Sequence, residues 1–481
     1  MEVKKLAGLQ PADVFTYFEE ICRIPHGSGN TKQISDYLVA FAKKHEIAYI
    51  QDHLNNVILF GAGTCGMEDH APVILQGHMD MVCEKDADCP VDMDREGLQI
   101  AHDGQYVFAN GTTLGGDDGI AIAYALALLA DKTIPHPPLE VVITVDEETG
   151  MYGAADIDLS MLKGRTLINI DSEEEGVFTV SCAGGGRATV TLNVARRAVY
   201  GPCVRLTVEG LRGGHSGIEI DKNRANANKV MGEFLSRVQK LMPLCLTKLS
   251  GGAKDNAIPR SAQATMVAMG MYLERINEVA AQLQQEIRDT YDEPDVRIYG
   301  DDVDALGGNA LTTESTAKVI SLLCAAPDGV QSWSEDIPGL VQTSLNLGVA
   351  KLEEAFSMTF AVRSSVEAEK QALLDRLKEL AAFYEEAEYS QTGIYPAWEY
   401  KKDSVLRDTM VDTYRRMFQK EPVVVAIHAG LECGLLSEKL PGLDCVSIGP
   451  NMRDIHTSSE RLEIASTMRT WNFLLEVLKN L

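Results

Sequence analysis

The chain has 481 residues, of which 45% are hydrophobic, 24% charged and 6% aromatic. That is the composition of a folded protein with room for two domains, not of a disordered chain. Its 44 lysines and arginines face 70 aspartates and glutamates, a formal charge of −26, which argues against nucleic acid or an anionic membrane surface as a partner. Carboxylates gathered near a site would instead favour cations.

The amino terminus lacks the apolar core of a signal peptide, and no window approaches the length of apolar sequence that crosses a bilayer. Ten cysteines are scattered from Cys22 to Cys445 with no Cys-x-x-Cys pair. They read as reduced thiols of a cytoplasmic protein, and a thiolate zinc site is not expected.

Residues 11–24 and 31–45 read as helices, the second with Ile34, Leu38, Val39 and Phe41 on one apolar stripe. Strand-like runs follow at 56–60, 73–76, 139–145 and 166–170, with an almost wholly apolar helix at 120–130. Continuous apolar strands separated by helices predict an α/β sheet buried on both faces. After Gly184–Gly186 the texture changes. Alternating strands at 188–194 and 204–208 and polar-faced helices at 223–238, 272–291, 313–324 and 366–384 predict an inserted α+β domain. The α/β pattern returns with a helix at 406–418 and strands at 423–427 and 445–448. The expected domains are therefore 1–186 and 396–481 for the α/β part and 187–395 for the insertion.

Five stretches carry chemistry. Val-Ile-Leu-Gln-Gly-His-Met-Asp (residues 73–80) ends a buried strand in His78 and Asp80. Residues two apart point to one side of an extended chain, so Asp80 can hold the second ring N–H of His78. Gly-Thr-Thr-Leu-Gly-Gly-Asp-Asp-Gly-Ile (111–120) opens onto the apolar helix. Capping would need one of Asp117 and Asp118, not both. Val-Val-Ile-Thr-Val-Asp-Glu-Glu-Thr-Gly (141–150) and Leu-Ile-Asn-Ile-Asp-Ser-Glu-Glu-Glu-Gly (167–176) again end strands in acids, among them Glu147, Glu148 and Asp171. Ile-Gly-Pro-Asn-Met-Arg-Asp-Ile-His-Thr-Ser-Ser-Glu (448–460) brings His456. Taken singly, each also fits a bland reading as a structural hydrogen bond or a solvated turn. Together, imidazoles and carboxylates at several strand ends fit a divalent-metal site, because ligands bind at the carboxyl ends of strands in open α/β sheets.

These stretches, with Gly-Gly-His-Ser-Gly (213–217), Lys-Asp-Asn-Ala-Ile-Pro-Arg (254–260) and His-Ala-Gly-Leu-Glu-Cys-Gly (428–434), resemble the M20 metallopeptidases, in their aminoacyl-histidine dipeptidase branch. The resemblance runs in order over nearly the whole chain. It implies a zinc-aminopeptidase-like catalytic domain interrupted by a lid and dimerisation domain. It also implies two divalent ions, zinc first, with manganese or cobalt compatible with the same ligands. Asp117 would bridge the ions, with His78 and Asp171 at one and Glu148 and His456 at the other. The peptide bond after Asp117 would be cis. Glu147 would be the general base and Asp80 the partner of His78.

One departure is visible: the chain has Gly-Asp-Asp where Ala-Asp-Asn is expected, and Asp118 is not taken as a ligand. His215 would hold the oxyanion, in its own subunit or across a homodimer. Asn256 and Arg260 would bind the substrate carboxylate, with His428 and Glu432 at the amino end. The implied reaction is hydrolysis of dipeptides, Xaa-His included, by metal-activated water. The alternatives are an N-acyl-amino-acid hydrolase, or a non-catalytic metal or peptide binder, although a binder has no need of Glu147. His26, His45, His53, His70, His102 and His136 carry no ligand-like context.

Overall fold

The computed structural model describes residues 5–268 and 272–481. The first four residues, part of the amino-terminal stretch read above, lie outside these. The chain divides into two compact units. One comprises the residues up to Ser181 with Tyr400–Ala426 and Leu431–Leu481; the other is Cys182–Glu399 with Ile427–Gly430.

The first unit is built on an eight-stranded mixed sheet. Its strands run Ala48–Gln51, Val57–Gly61, Leu139–Thr144, Val73–His78, Thr166–Asn169, Asp444–Ser447, Val177–Cys182 and Val423–Ile427 across the sheet. Val73–His78 pairs in parallel with Leu139–Thr144 and with Thr166–Asn169, which in turn runs parallel to Asp444–Ser447. Every residue of Val73–His78 and Leu139–Thr144 is buried, which explains why these strands are continuous rather than alternating in sequence. The helix Gly116–Ala130 is buried from Gly116 to Leu129, so it shows no amphipathic stripe. It begins earlier than expected, but Asp117 and Asp118 have non-helical backbone, and regular turns start after them.

The second unit carries a nine-stranded sheet that includes Gly184–Leu192, Cys203–Glu209, Leu244–Gly251, Ala262–Ala268, Val341–Leu352 and Phe356–Ser364. The helices Ala227–Leu241, Leu273–Thr290, Thr313–Ala325 and Glu367–Ala382 accompany it. The first of these starts later than the apolar pattern suggests. Asn223 has φ of +49°, and the Asn226 side chain accepts from the Asn228 N–H at 2.9 Å, so the helix is capped there. The α/β fold with an inserted α+β unit is as the sequence pattern indicates. No helix among the described residues is long and apolar enough to cross a membrane.

Close backbone approach fixes one strand end. A Cβ on Gly449 would lie 1.5 Å from the Ser172 carbonyl oxygen. Ser172 also donates its N–H to the Ile448 carbonyl at 3.2 Å and shares a 2.8 Å hydrogen bond with the Ser447 hydroxyl. Gly449→Ala is therefore expected to destabilise the metal-free protein by about 3 kcal/mol, at the upper end of overpacking costs. Urea unfolding checks this, and an unchanged midpoint would contradict the packing described.

Candidate metal centre

Parallel strands present their carboxyl ends on one edge of the sheet. His78 is the last residue of Val73–His78, Glu147 and Glu148 follow Leu139–Thr144, and Asp171 follows Thr166–Asn169. His456 comes from the loop between the short strands Met452–Arg453 and Arg461–Glu463, at φ +59°. Asp117 lies between the two imidazoles. Its Oδ1 is 3.0 Å from His78 Nε2 and its Oδ2 is 3.2 Å from His456 Nε2. His78 Nε2 is also 3.5 Å from Asp171, and His456 Nε2 is 3.0 Å from Glu148. The Asp117–Asp118 peptide is cis, as the resemblance implied. Their carboxylates meet His78 and His456 rather than the helix that follows.

Three triads bring donor atoms within reach of one ion: His78 with Asp118 and Asp171, His78 with Glu147 and Glu148, and Asp117 with Glu148 and His456. Asp118 is thus closer to the centre than the sequence suggested. It is fully buried, and its Oδ2 accepts from the His78 backbone N–H at 3.2 Å while Oδ1 has no hydrogen-bond partner.

The donor set fits divalent cations. Burial, with Asp171, Glu432 and Glu148 nearby, pushes the Glu147 carboxyl up to about 9 against the pull of His78. Burial, with Asp117 and Glu148, takes Asp171 to about 6 although His78 opposes it. Buried carboxylates this close together are stabilised by added positive charge. The two imidazoles are already engaged: carboxylate contacts from Asp117, Asp171 and Asp80 outweigh burial and raise His78, and those from Asp117 and Glu148 bring His456 to about 10. Imidazole nitrogens and carboxylate oxygens converging in this way suit zinc and related ions.

Asp80 is buried beside His78. The imidazole Nδ1 lies 2.9 Å from the Asp80 carbonyl and 3.5 Å from its carboxylate. That carboxylate accepts the Ser28 hydroxyl at 2.8 Å and the Glu147 N–H at 3.1 Å. Gly29 donates its N–H to Asp146 at 2.6 Å. Residues 28–29 thereby hold the turn that carries Glu147, a role with no signal in sequence beyond two flanking glycines. Glu432 is buried. It accepts from Gln76 Nε2 at 2.6 Å and Thr144 Oγ1 at 2.7 Å, and Gln76 in turn accepts from Asn169 at 2.6 Å. His26 is buried, with Nδ1 2.5 Å from the Ile24 carbonyl.

The other named residues lie in the second unit. His215 sits in a short strand paired with Ala257. Its Nδ1 accepts from the Gly217 and Ile218 N–H groups at 3.1 and 3.2 Å, which leaves the proton on Nε2. Burial and then the charge of Arg363 lower its pKa. His428 is buried, with Nε2 2.7 Å from the Ser344 hydroxyl, and burial with Arg363 takes it down to about 3. Arg363 is the residue the sequence reading missed. It shares a cavity of about 340 Å³ with Asn256, Arg187 and Tyr395, and its Nε is buried without a hydrogen-bond partner among the described residues. An arginine within a strand carries no signal that it turns inward. Arg260 lines a different cavity, of about 820 Å³, with Arg212 and Lys254.

The loop bearing Asn256 hangs on a buried polar chain. Asn346 Nδ2 donates to the Asp255 and Ala257 carbonyls at 2.7 and 2.9 Å, and Asp328 accepts from Leu347 N–H at 2.7 Å and Asn226 Nδ2 at 2.9 Å. Burial pushes the Asp328 carboxyl up to about 6. A carboxyl raised in the folded state favours folding when protonated, so its contribution falls as pH rises from about 4 through about 6. Asp328→Asn keeps the accepting oxygen and removes that fall. Urea midpoints should show the variant roughly 1–3 kcal/mol more stable than wild type at pH 7.5, with the advantage gone near pH 4. Equal pH dependence in both proteins would refute this.

A profile of peptidase family M20/M25/M40 matches residues 74–480. The chain is 37% identical over 487 aligned positions to the cytosol non-specific dipeptidase of Escherichia coli (strain K12), covering 100% of this chain and 99% of the relative. It superposes with TM-score 0.93 and 34% identity on the crystal structure of aminoacylhistidine dipeptidase from Vibrio alginolyticus, covering 99% of this chain and 98% of that one. The aminopeptidase PepT structure from Bacillus cereus shares the fold, with TM-score 0.56 at 14% identity over 98% of both chains. With the family profile spanning most of its length and this identity running end to end, the chain belongs to peptidase family M20/M25/M40 and is a metallopeptidase.

Proposed function

We propose that the chain is a dinuclear metal-dependent dipeptidase that hydrolyses the peptide bond of dipeptides, Xaa-His substrates among them. One observation carries the two-ion reading: the Asp117 carboxylate lies between two imidazoles, one oxygen toward each. The relatives named for dipeptide and aminoacyl-histidine hydrolysis support the substrate class.

In this reading Asp117 would be shared by both ions, His78 and Asp171 would hold one, and Glu148 and His456 would hold the other. Zinc is the first choice, with manganese and cobalt tolerated by the same ligands. Ions held there would supply Lewis acidity to the substrate carbonyl and make a water easier to deprotonate. Glu147 takes the proton from the attacking water and delivers it to the leaving amine. Asp80 holds the His78 ring and, through the Glu147 N–H, the backbone of the base. His215, neutral with its proton on Nε2, donates to the oxyanion.

Asn256 is proposed for the substrate carboxylate; Arg260, which lines the other cavity, is proposed there on the resemblance alone. Arg363 joins Asn256, because a buried guanidinium N–H without a partner among the described residues matches a carboxylate's acceptors. His428 and Glu432 are proposed at the amino end, with Glu432 facing the substrate ammonium. Residues 187–395 serve as lid and dimerisation domain of a homodimer, and the protein works in the cytoplasm, in line with ten cysteines of which no two form a disulfide among the described residues.

The reading is tested on enzyme reconstituted with zinc, manganese or cobalt. Carnosine, Ala-His and Gly-Gly should turn over, and N-acetyl amino acids should not. Turnover of the acylated substrates alone would move the chain to the N-acyl-amino-acid hydrolases. Glu147→Ala should keep both ions and lose at least about 10²-fold in kcat, and unchanged activity would remove Glu147 from the mechanism.

A further inference from the structure

The last residue of the 448–460 stretch does something the proposed chemistry leaves unexplained. Glu460 is 3% exposed, yet no basic side chain faces it among the described contacts. Its carboxylate accepts instead from three successive backbone N–H groups: Leu114 at 2.7 Å and Gly115 at 3.2 Å on Oε2, and Gly116 at 2.8 Å on Oε1. Consecutive N–H groups around a left-handed residue form a concave anion nest, and Gly115, at φ +68°, is that residue. A Cβ there would lie 2.8 Å from the Met81 sulfur, so the turn is fixed on its other side as well.

The nest ends at Gly116, directly before Asp117. Regular helix begins only after Asp117 and Asp118, so this carboxylate holds the ligand-bearing turn rather than capping a helix. At its own end, Glu460 closes a turn by donating its N–H to the Thr457 carbonyl at 3.1 Å, next to His456. A second tie runs in parallel. Ser458 donates to the Asp86 carboxylate at 2.5 Å, and Asp86 donates its N–H to the Gly111 carbonyl at 2.9 Å.

We propose that Glu460 is a positioning residue for the metal centre: its carboxylate fastens the turn that carries Asp117 to the loop that carries His456. It thereby sets the spacing between two donors that lie far apart in sequence. This rests on the reading of Asp117 and His456 as ligands. Charge-assisted hydrogen bonds of this kind are stronger than neutral ones, and removing a group that orients a ligand typically weakens metal binding about 10–100-fold.

The test is Glu460→Gln, whose amide fills the same space but keeps only one accepting oxygen and turns an NH2 toward a backbone N–H. Metal-free wild type and variant are titrated with Co²⁺ and Zn²⁺ by equilibrium dialysis, and the Co²⁺ visible spectrum is recorded. Wild type should bind two ions per chain. The variant should bind at least one of them about 10–100-fold more weakly, show an altered Co²⁺ spectrum, and recover kcat as metal is raised. A folded variant with wild-type affinity and spectrum overturns the proposal, even if its melting temperature falls. Wild type binding no more than one ion overturns the two-ion reading itself, a different outcome read in a different arm. If the variant does not fold, hydrogen exchange on wild type decides: the amides of residues 114–116 should be protected without metal and gain protection together with 456–460 when Zn²⁺ is added. Fast exchange at 114–116, or protection gained by one segment alone, overturns the clamp.

Discussion

The constraint on which the structure turns is buried negative charge. Asp80, Asp117, Asp118 and Asp171 are gathered with Glu147 and Glu148 at one sheet edge, and of the described residues His78 and His456 stand among them with positive charge to offer. Such a set is costly in a low-dielectric interior unless cations or oriented N–H groups compensate it. A parallel sheet is a natural platform, because neighbouring strands place their carboxyl ends at one level and packed strands cannot drift apart. The charge cannot relax away, since His78 ends a strand buried throughout and Asp117 precedes a helix buried on every side.

Behind the donors stands a shell of groups tied to the backbone and to one another. Ser28 and Gly29 hold Asp80 and Asp146, Gln76 joins Asn169 to Glu432, and Glu460 gathers the three N–H groups before Asp117. The donors come from widely separated stretches of the chain, so precise placement has to be imposed between loops. Hydrogen bonds to rigid backbone do this with less conformational freedom than flexible ion pairs leave.

Much of this was legible in the sequence. The wholly apolar helix and continuous strands announce a sheet buried on both faces, and acids at the ends of those strands are conspicuous because an acid after a buried run needs a reason. What stayed hidden depends on distant partners. Arg363 sits in the strand Phe356–Ser364 like any solvent-facing arginine, and only the fold shows its Nε buried beside Asn256. Glu432 looks like a helix-start acid, and only the fold shows it buried with Gln76 and Thr144 both donating to its Oε2. Glu460 reads as one more polar residue of a loop until Leu114, Gly115 and Gly116 meet it. The helix expected from residue 223 starts at Ala227 because the cap at Asn226 depends on side-chain geometry, not on apolar period.

The histidines show how environment divides one residue type into separate tools. Carboxylates around His78 and His456 draw charge onto the rings, the same attraction that makes those positions hospitable to cations. His215 meets the opposite conditions: two backbone N–H groups point at Nδ1, Arg363 adds positive charge, and partial burial favours the neutral ring. Two donors aimed at one ring nitrogen forbid a proton there, so Nε2–H is the only tautomer that satisfies them. A neutral, oriented donor can stabilise a developing oxyanion without first giving up a proton to the solvent or to a carboxylate. The glycines on both sides of His215 follow from this. Gly214 lies at φ +147°, and a Cβ on Gly217 would be 2.6 Å from the His428 carbonyl and 3.0 Å from the His215 ring. The backbone can fold its N–H groups onto the imidazole only where no side chain intervenes.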